Sequence, residues 1–205
     1  MRLKIGVLAS GRGTDFQAII DAVEGGKCAA EIKVLISDRK DVNALERAAK
    51  HKIPAVVMEP AAYGTRVEHD EAVLEELRRR GVELVVLAGY MRLIKSAKFL
   101  KEFEWRIINI HPSLLPKFPG AHAQRDAFKA GAKVSGYTVH FVDGSLDGGP
   151  IIWQESVRID ECENEQEVSD KILVHEHVGL PLIVDSFSKG HYQVEGKKVR
   201  FVRFG

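Results

Sequence analysis

The segment Asn109-Ile110-His111-Pro112-Ser113-Leu114-Leu115-Pro116 sets an amide and an imidazole two residues apart at the end of an isoleucine-rich run. In a strand, residues i and i+2 leave the same face, so both side chains reach one space. That pairing suits a reaction that builds negative charge on a carbonyl oxygen. Asn109 can donate to the oxyanion, and a protonated His111 can do the same or deliver a proton. The bland alternative is a histidine that merely ends a strand; the amide neighbour and the proline-bound loop argue for chemistry. Thirty-six residues on, Asp143-Gly144-Ser145-Leu146-Asp147-Gly148-Gly149-Pro150 carries a carboxylate among glycines that let backbone approach a ligand closely. Asp147 could pair with His111 and orient its ring, although Asp-Gly is also an ordinary turn signal.

A second site is suggested by Ser10-Gly11-Arg12-Gly13-Thr14-Asp15, which joins a first strand directly to a helix. Such a turn offers free backbone N–H groups and the positive end of a helix dipole, a natural place for a phosphate. No Gly-Lys-Ser/Thr follows, so it is not a Walker loop. Phe16 occupies the third glycine position of a dinucleotide fingerprint, where a large side chain blocks the close helix–strand contact. The turn is therefore either a mononucleotide phosphate site or a plain strand–helix turn capped by Thr14 or Asp15. Other clusters weaken on inspection. His175-Glu176-His177 lacks the spacing of a zinc pair, because residues two apart on a helix diverge. The arginines Arg78, Arg79 and Arg80 suit a solvated helix end. Cys28 and Cys162 make neither a disulfide framework nor a four-cysteine metal site.

The elements that must hold these groups alternate along the chain. β-Branched runs at 3–9, 31–37, 55–58, 83–88 and 106–110 predict strands, and amphipathic stretches at 15–24, 43–51, 66–80 and 96–103 predict helices, with Gly81 as a stop. Near-continuous apolar strands separated by helices predict a doubly wound α/β fold, a mostly parallel sheet covered on both faces. After a Pro/Gly loop at 111–122 and a short helix at 125–130, the runs 134–142 and 150–159 read as adjacent antiparallel strands. A helix at 165–188 and a hairpin around 194–197 follow. With 205 residues and no linker or repeat, one domain is expected, divided into an N-terminal half (1–100), a C-terminal half (101–190) and a terminal hairpin (191–205). Lys plus Arg number 30 against 29 Asp plus Glu, a net charge of +1 that gives no field for holding a polyanion. No apolar run reaches the roughly 18–20 residues of a membrane span, and the start of the chain reads as a strand rather than a signal peptide. A cytoplasmic protein acting on small molecules, without nucleic-acid or membrane partners, is expected.

Taken in order, NIHPSLLPKFPG and VHFVDGSLDGGPI, with the glycine turn and the MRLI segment at 91–94, resemble the glycinamide ribonucleotide formyltransferases over nearly the whole chain. The resemblance implies a Rossmann-like formyltransferase fold. It also implies transfer of a formyl group from 10-formyltetrahydrofolate to the primary amine of glycinamide ribonucleotide in purine biosynthesis, with no metal. It assigns Asn109, His111 and Asp147 as the catalytic trio. Gly11, Arg12, Gly13, Thr14 and Asp15 fall at the nucleotide phosphate turn, and Glu176 at a ribose contact. Arg66, Met91, Arg92, Leu93, Ile94, Asn109, Val142, Asp143 and Asp147 fall at the folate pocket. The family usually has Asn at the position of Asp15, where a carboxylate should repel phosphate unless Arg12 compensates or the side chain turns away as a cap. The related methionyl-tRNA formyltransferases and formyltetrahydrofolate deformylases carry an additional domain, for which no room is expected here. Three rivals remain: a formyltransferase for another amine such as a nucleotide-linked amino sugar, a nicotinamide oxidoreductase using Asp38, and a nucleotide-binding regulatory module. A monomer or a homodimer is equally compatible with the sequence.

Overall fold

Seven strands form one sheet in the computed structural model, which describes residues 2–205. Their order is β3-β2-β1-β4-β5-β6-β7. The strands β1 (Leu3–Ala9), β2 (Ala30–Ser37), β3 (Ala55–Val57), β4 (Leu84–Leu87) and β5 (Ile107–His111) run parallel. The longer β6 (Val134–Phe141) pairs antiparallel with β5, and β7 (Ile151–Arg158) pairs antiparallel with β6, the adjacent antiparallel strands their sequence predicts. From β1 the chain winds outward to β2 and β3, then returns to place β4 on the other side of β1. The carboxyl ends of β1 and β4 thus diverge at a topological switch point, where open α/β sheets leave a crevice.

Strand periodicity divides the core between two faces. Ile5, Val7 and Ala9 of β1, with Ile108 and Ile110 of β5, pack under α1 (Thr14–Glu24), α2 (Asn43–Lys50), α5 (Ala123–Lys129) and α6 (Glu165–Ser186). Leu8 and Ile107 face α3 (Arg66–Arg79) and α4 (Ala97–Glu102) through Val73, Leu74, Leu77 and Phe99. Asn109 and His111 follow Ile107 at strand period, so they leave on the second face.

Helix ends follow local chemistry. Thr65 accepts the Glu68 N–H at 3.1 Å to start α3, and the Glu68 carboxylate takes the Gly64 N–H at 2.9 Å. Gly81 stops α3 with φ 64°, its N–H reaching Arg78 O while the Val82 N–H reaches Leu77 O. A 3-10 turn at Pro60–Ala62, unanticipated from sequence, precedes α3. The chain ends in a separate hairpin of β8 (Gly190–Glu195) and β9 (Lys198–Arg203). No helix among the described residues is long and apolar enough to cross a membrane.

The long α6 lies against β6 at one tight point. A Cβ on Gly179 would sit 1.7 Å from the Tyr137 hydroxyl oxygen, and Tyr137 is fully buried with its O–H donated to Glu155 at 2.9 Å. Gly179→Ala should therefore force the helix off the sheet or break the Tyr137–Glu155 bond. The expected loss is at least about 1–3 kcal/mol of stability, read as a lower urea midpoint.

Candidate active site

The carboxyl ends of β1, β4 and β5 open onto a cleft of about 550 Å³, within the usual range for small-molecule pockets. Its walls combine the turn after β1, the segment after β4, the end of β5, the β6–β7 loop and α6. Of the residues expected from sequence, Gly11 to Asp15, Met91 to Ile94, Asn109, His111, Val142, Asp147 and Glu176 line this space. Arg66 and Asp143 do not: Arg66 is exposed at the start of α3, and Asp143 is paired with Lys197. Asp38, the acid a nicotinamide enzyme would need, is buried outside the cleft lining and helps burial to push the Tyr90 hydroxyl up.

His111 is 5% exposed, and its ring is fixed from two sides. Nε2 lies 2.8 Å from Phe118 O, an acceptor only, so Nε2 carries the hydrogen. Nδ1 faces Asp147 Oδ2, 3.5 Å away. That same oxygen accepts the Gly120 N–H at 2.7 Å. The loop between β5 and α5 therefore supplies Phe118 to orient the imidazole and Gly120 to anchor the carboxylate. The loop is itself pinned to β6 and β7, because the Thr138 hydroxyl donates to Ser113 O at 2.6 Å and Gln154 donates to Leu115 O at 2.8 Å.

Asn109 is set by a residue the sequence reading missed. In the β5–β6 register Asn109 faces His140, and the Asn109 amide donates to His140 Nε2 at 3.1 Å. His140 Nδ1 donates to Phe141 O at 2.8 Å, which leaves Nε2 bare to accept. Burial holds His140 below its ordinary range, more than backbone and Asp147 raise it, so the neutral acceptor form is favoured. One amide N–H and the amide oxygen of Asn109 remain for a ligand. The only sequence signal for His140 was its place in VHFVDG; its partner depends on strand register, which is not local.

The turn between β1 and α1 differs from expectation in its cap. Gly13, not Thr14 or Asp15, occupies the N-cap of α1, with φ 65° and no side-chain cap bond. Glycine is required there twice over, because a Cβ would also meet Ala44 at 2.8 Å. Ser10 ties this turn to the next wall: its N–H reaches Gly89 O at 3.1 Å and its hydroxyl accepts the Met91 N–H at 2.9 Å. Asp15 points inward, its side chain 14% exposed and Oδ1 without a partner, 3.9 Å from an equally unpartnered His177 Nε2. Burial pushes Asp15 up to about 6 against the pull of the Arg12 guanidinium. Glu176 rises well above the carboxylate range through burial and then the Asp15 charge. Both carboxyls thus hold a proton to a higher pH than free carboxylates do. Around them His175 turns away to Glu155 at 2.7 Å and His177 stays neutral through burial and the Arg47 charge, so the His-Glu-His run diverges as expected.

Asp15 thus stores a pH-dependent cost. Its folded pKa lies above its unfolded one, so the fold is least penalised below about pH 4 and loses stability as pH rises through about 6. Asp15→Asn should be about 1–3 kcal/mol more stable than wild type at pH 8 and no more stable at pH 4, measured by urea unfolding across that range.

Residues 3–184 match the formyl transferase family. The chain is 41% identical over 181 residues to phosphoribosylglycinamide formyltransferase of Bacillus subtilis (strain 168), covering 88% of this chain and 92% of that protein. It is 40% identical over 197 residues to the trifunctional purine biosynthetic protein adenosine-3 of Chironomus tentans, 95% of this chain but 14% of that one. Its structure superimposes on glycinamide ribonucleotide transformylase 1 from Symbiobacterium toebii with a TM-score of 0.94 at 46% identity, covering 98% and 94% of the two chains. With the sheet order, the cleft at its switch point and a sequence match over most of its length, this chain belongs to the formyl transferase family.

Proposed function

We propose that this protein transfers the formyl group of 10-formyltetrahydrofolate to the primary amine of glycinamide ribonucleotide, giving formylglycinamide ribonucleotide and tetrahydrofolate. The observation that carries the reading is the cleft that holds Asn109, His111 and Asp147 at one end and the β1–α1 turn at the other. One end suits an acyl transfer and the other a phosphate. The reading takes the whole chain as one unit, with the folate contacts at 91–94 and around 142–147 and the nucleotide contacts at 11–15 and Glu176. Small-molecule substrates and a cytoplasmic setting belong to the same proposal.

The uncharged amine attacks the formyl carbon and the carbonyl oxygen gains the negative charge. The remaining Asn109 N–H and the protonated Nδ1 edge of His111 stabilise that oxyanion. The surplus proton on the attacking nitrogen passes to the departing folate nitrogen as the old C–N bond breaks. Asp147, 3.5 Å from His111 Nδ1, pairs with the imidazole and stands beside the route of that proton. At the other end, the proton favoured by Asp15 and Glu176 lowers the negative charge that a phosphate meets, and Arg12 and the α1 dipole add attraction.

The deciding experiment supplies purified protein with 10-formyltetrahydrofolate and a panel of amines and follows tetrahydrofolate release. Glycinamide ribonucleotide should be the preferred acceptor; equal efficiency with its dephosphorylated form would sink the phosphate assignment. Asn109→Ala and His111→Ala should each lower kcat by about a hundred- to a thousandfold, with acceptor affinity by calorimetry nearly unchanged. Asp15→Asn should leave activity largely intact or tighten nucleotide binding. A large loss of acceptor affinity in the folded variant would show the carboxyl making a productive contact.

A further inference from the structure

The loop that carries Asp147 is held from outside the catalytic half of the chain. Asp147 itself sits in the left-handed region with φ 49°, a conformation that costs a non-glycine residue about 1–2 kcal/mol and persists only when its surroundings enforce it. Within the loop, Asp143 accepts from the Ser145 N–H at 3.0 Å and from the Ser145 hydroxyl, a turn too local to fix the loop against the sheet. The Gly120 N–H fixes the Asp147 side chain. A further tie comes from the terminal hairpin. Lys197, in its turn, donates Nζ to Gly148 O and lies 3.6 Å from Asp143 Oδ2. One ammonium thus grips both ends of the loop, a residue's length from Asp147.

The hairpin that presents Lys197 is firmly seated. Tyr192 of β8 packs on Phe141, the last residue of β6 before this loop, with ring centroids 5.9 Å apart, and on Phe187 at 4.9 Å. The Tyr192 hydroxyl shares a hydrogen bond with Ser186 at 2.7 Å, and Phe201 of β9 covers the ring at 5.1 Å. Gly196, with φ 61°, makes the tight turn that aims Lys197 back at the loop. The match to the formyl transferase family ends at residue 184, so the hairpin lies beyond the matched segment while the loop it grips lies within it.

We propose that Lys197 is a positioning residue for Asp147: the β8–β9 hairpin is a strut that clamps the β6–β7 loop in its working conformation. Its catalytic consequence rests on the formyl-transfer reading, while the clamp itself does not. Lys197 is exposed, and an exposed ion pair is worth little in global stability, so Lys197→Met should leave the melting temperature unchanged. The loop should nevertheless loosen, and amide exchange over residues 144–149 should rise about two- to tenfold in the full chain. In the transfer assay kcat/KM for the formyl donor should fall about two- to tenfold while KM for the acceptor stays constant. Lys197→Arg should restore most of the loss, and adding Asp143→Asn to Lys197→Met should cost little more than either change alone. Unchanged exchange in the loop would overturn the clamp whether or not the protein transfers formyl groups. Faster exchange with unchanged kinetics in an active enzyme would overturn the positioning role. A loss shared equally by both substrates, with a lowered melting temperature, would reduce Lys197 to a structural residue and overturn it too. Absence of formyl transfer in the wild type would instead count against the proposed reaction, and the exchange measurement would still judge the clamp.

Discussion

The hydrogen bond from Asn109 to His140 across β5 and β6 is the constraint on which the catalytic end of the cleft depends. It exists because the sheet changes direction at this point: a parallel β5 followed by an antiparallel β6 puts two strands side by side at one register. Here the antiparallel partner delivers an imidazole directly against the amide, and the same strand end feeds the loop bearing Asp147. Because His140 spends its Nδ1 hydrogen on the neighbouring carbonyl, the amide can meet it in one orientation only. Asn109 therefore presents a defined N–H to the cleft without having to choose a rotamer when a ligand arrives.

The two ends of the cleft handle negative charge in opposite ways. Asp147 is compensated by the Gly120 N–H and by the His111 imidazole, as a working carboxylate should be. Asp15, with Oδ1 unpartnered, and the buried Glu176 are both shielded from solvent, and the cost appears as a raised affinity for protons. A site that left its acids this unsatisfied in the free protein would gain when a ligand brings hydroxyls to accept and donate there. The sequence alone suggested repulsion between Asp15 and a phosphate; burial tempers it by raising the pH at which the side chain gives up its proton.

Much of the frame was legible because the relevant physics is local. β1 and α2 begin where the residue pattern places them, and Gly81 ends α3 as a left-handed stop. Asn109 and His111 could be paired from spacing alone, since strand period fixes their common face. What stayed hidden depends on contacts distant in sequence. Thr14 and Asp15 have the side chains of helix caps, yet Gly13 holds the position because Ala44 crowds the turn from a neighbouring helix. His140 needed the register of β6, and Lys197 needed the path of the terminal hairpin. Asp143, assigned to the folate pocket by resemblance, lies outside the cleft lining and pairs with Lys197, a contact that depends on where the hairpin packs.

The part of the cleft between Asp15 and Glu176 joins the beginning of the chain to its end, since Asp15 lies in the first turn of α1 and Glu176 deep in the last helix. No partly folded stretch of the polypeptide can assemble that pocket; it exists only once α6 has docked beside α1. Contacts between such remote residues close large loops and come at high entropic cost, which makes them late steps in folding. A ligand bridging both helices can bind only the finished structure and stabilises it by mass action. Metabolite supply then acts on the lifetime of the protein as well as on its turnover, because a filled cleft holds shut the one seam along which the two ends of the chain would part.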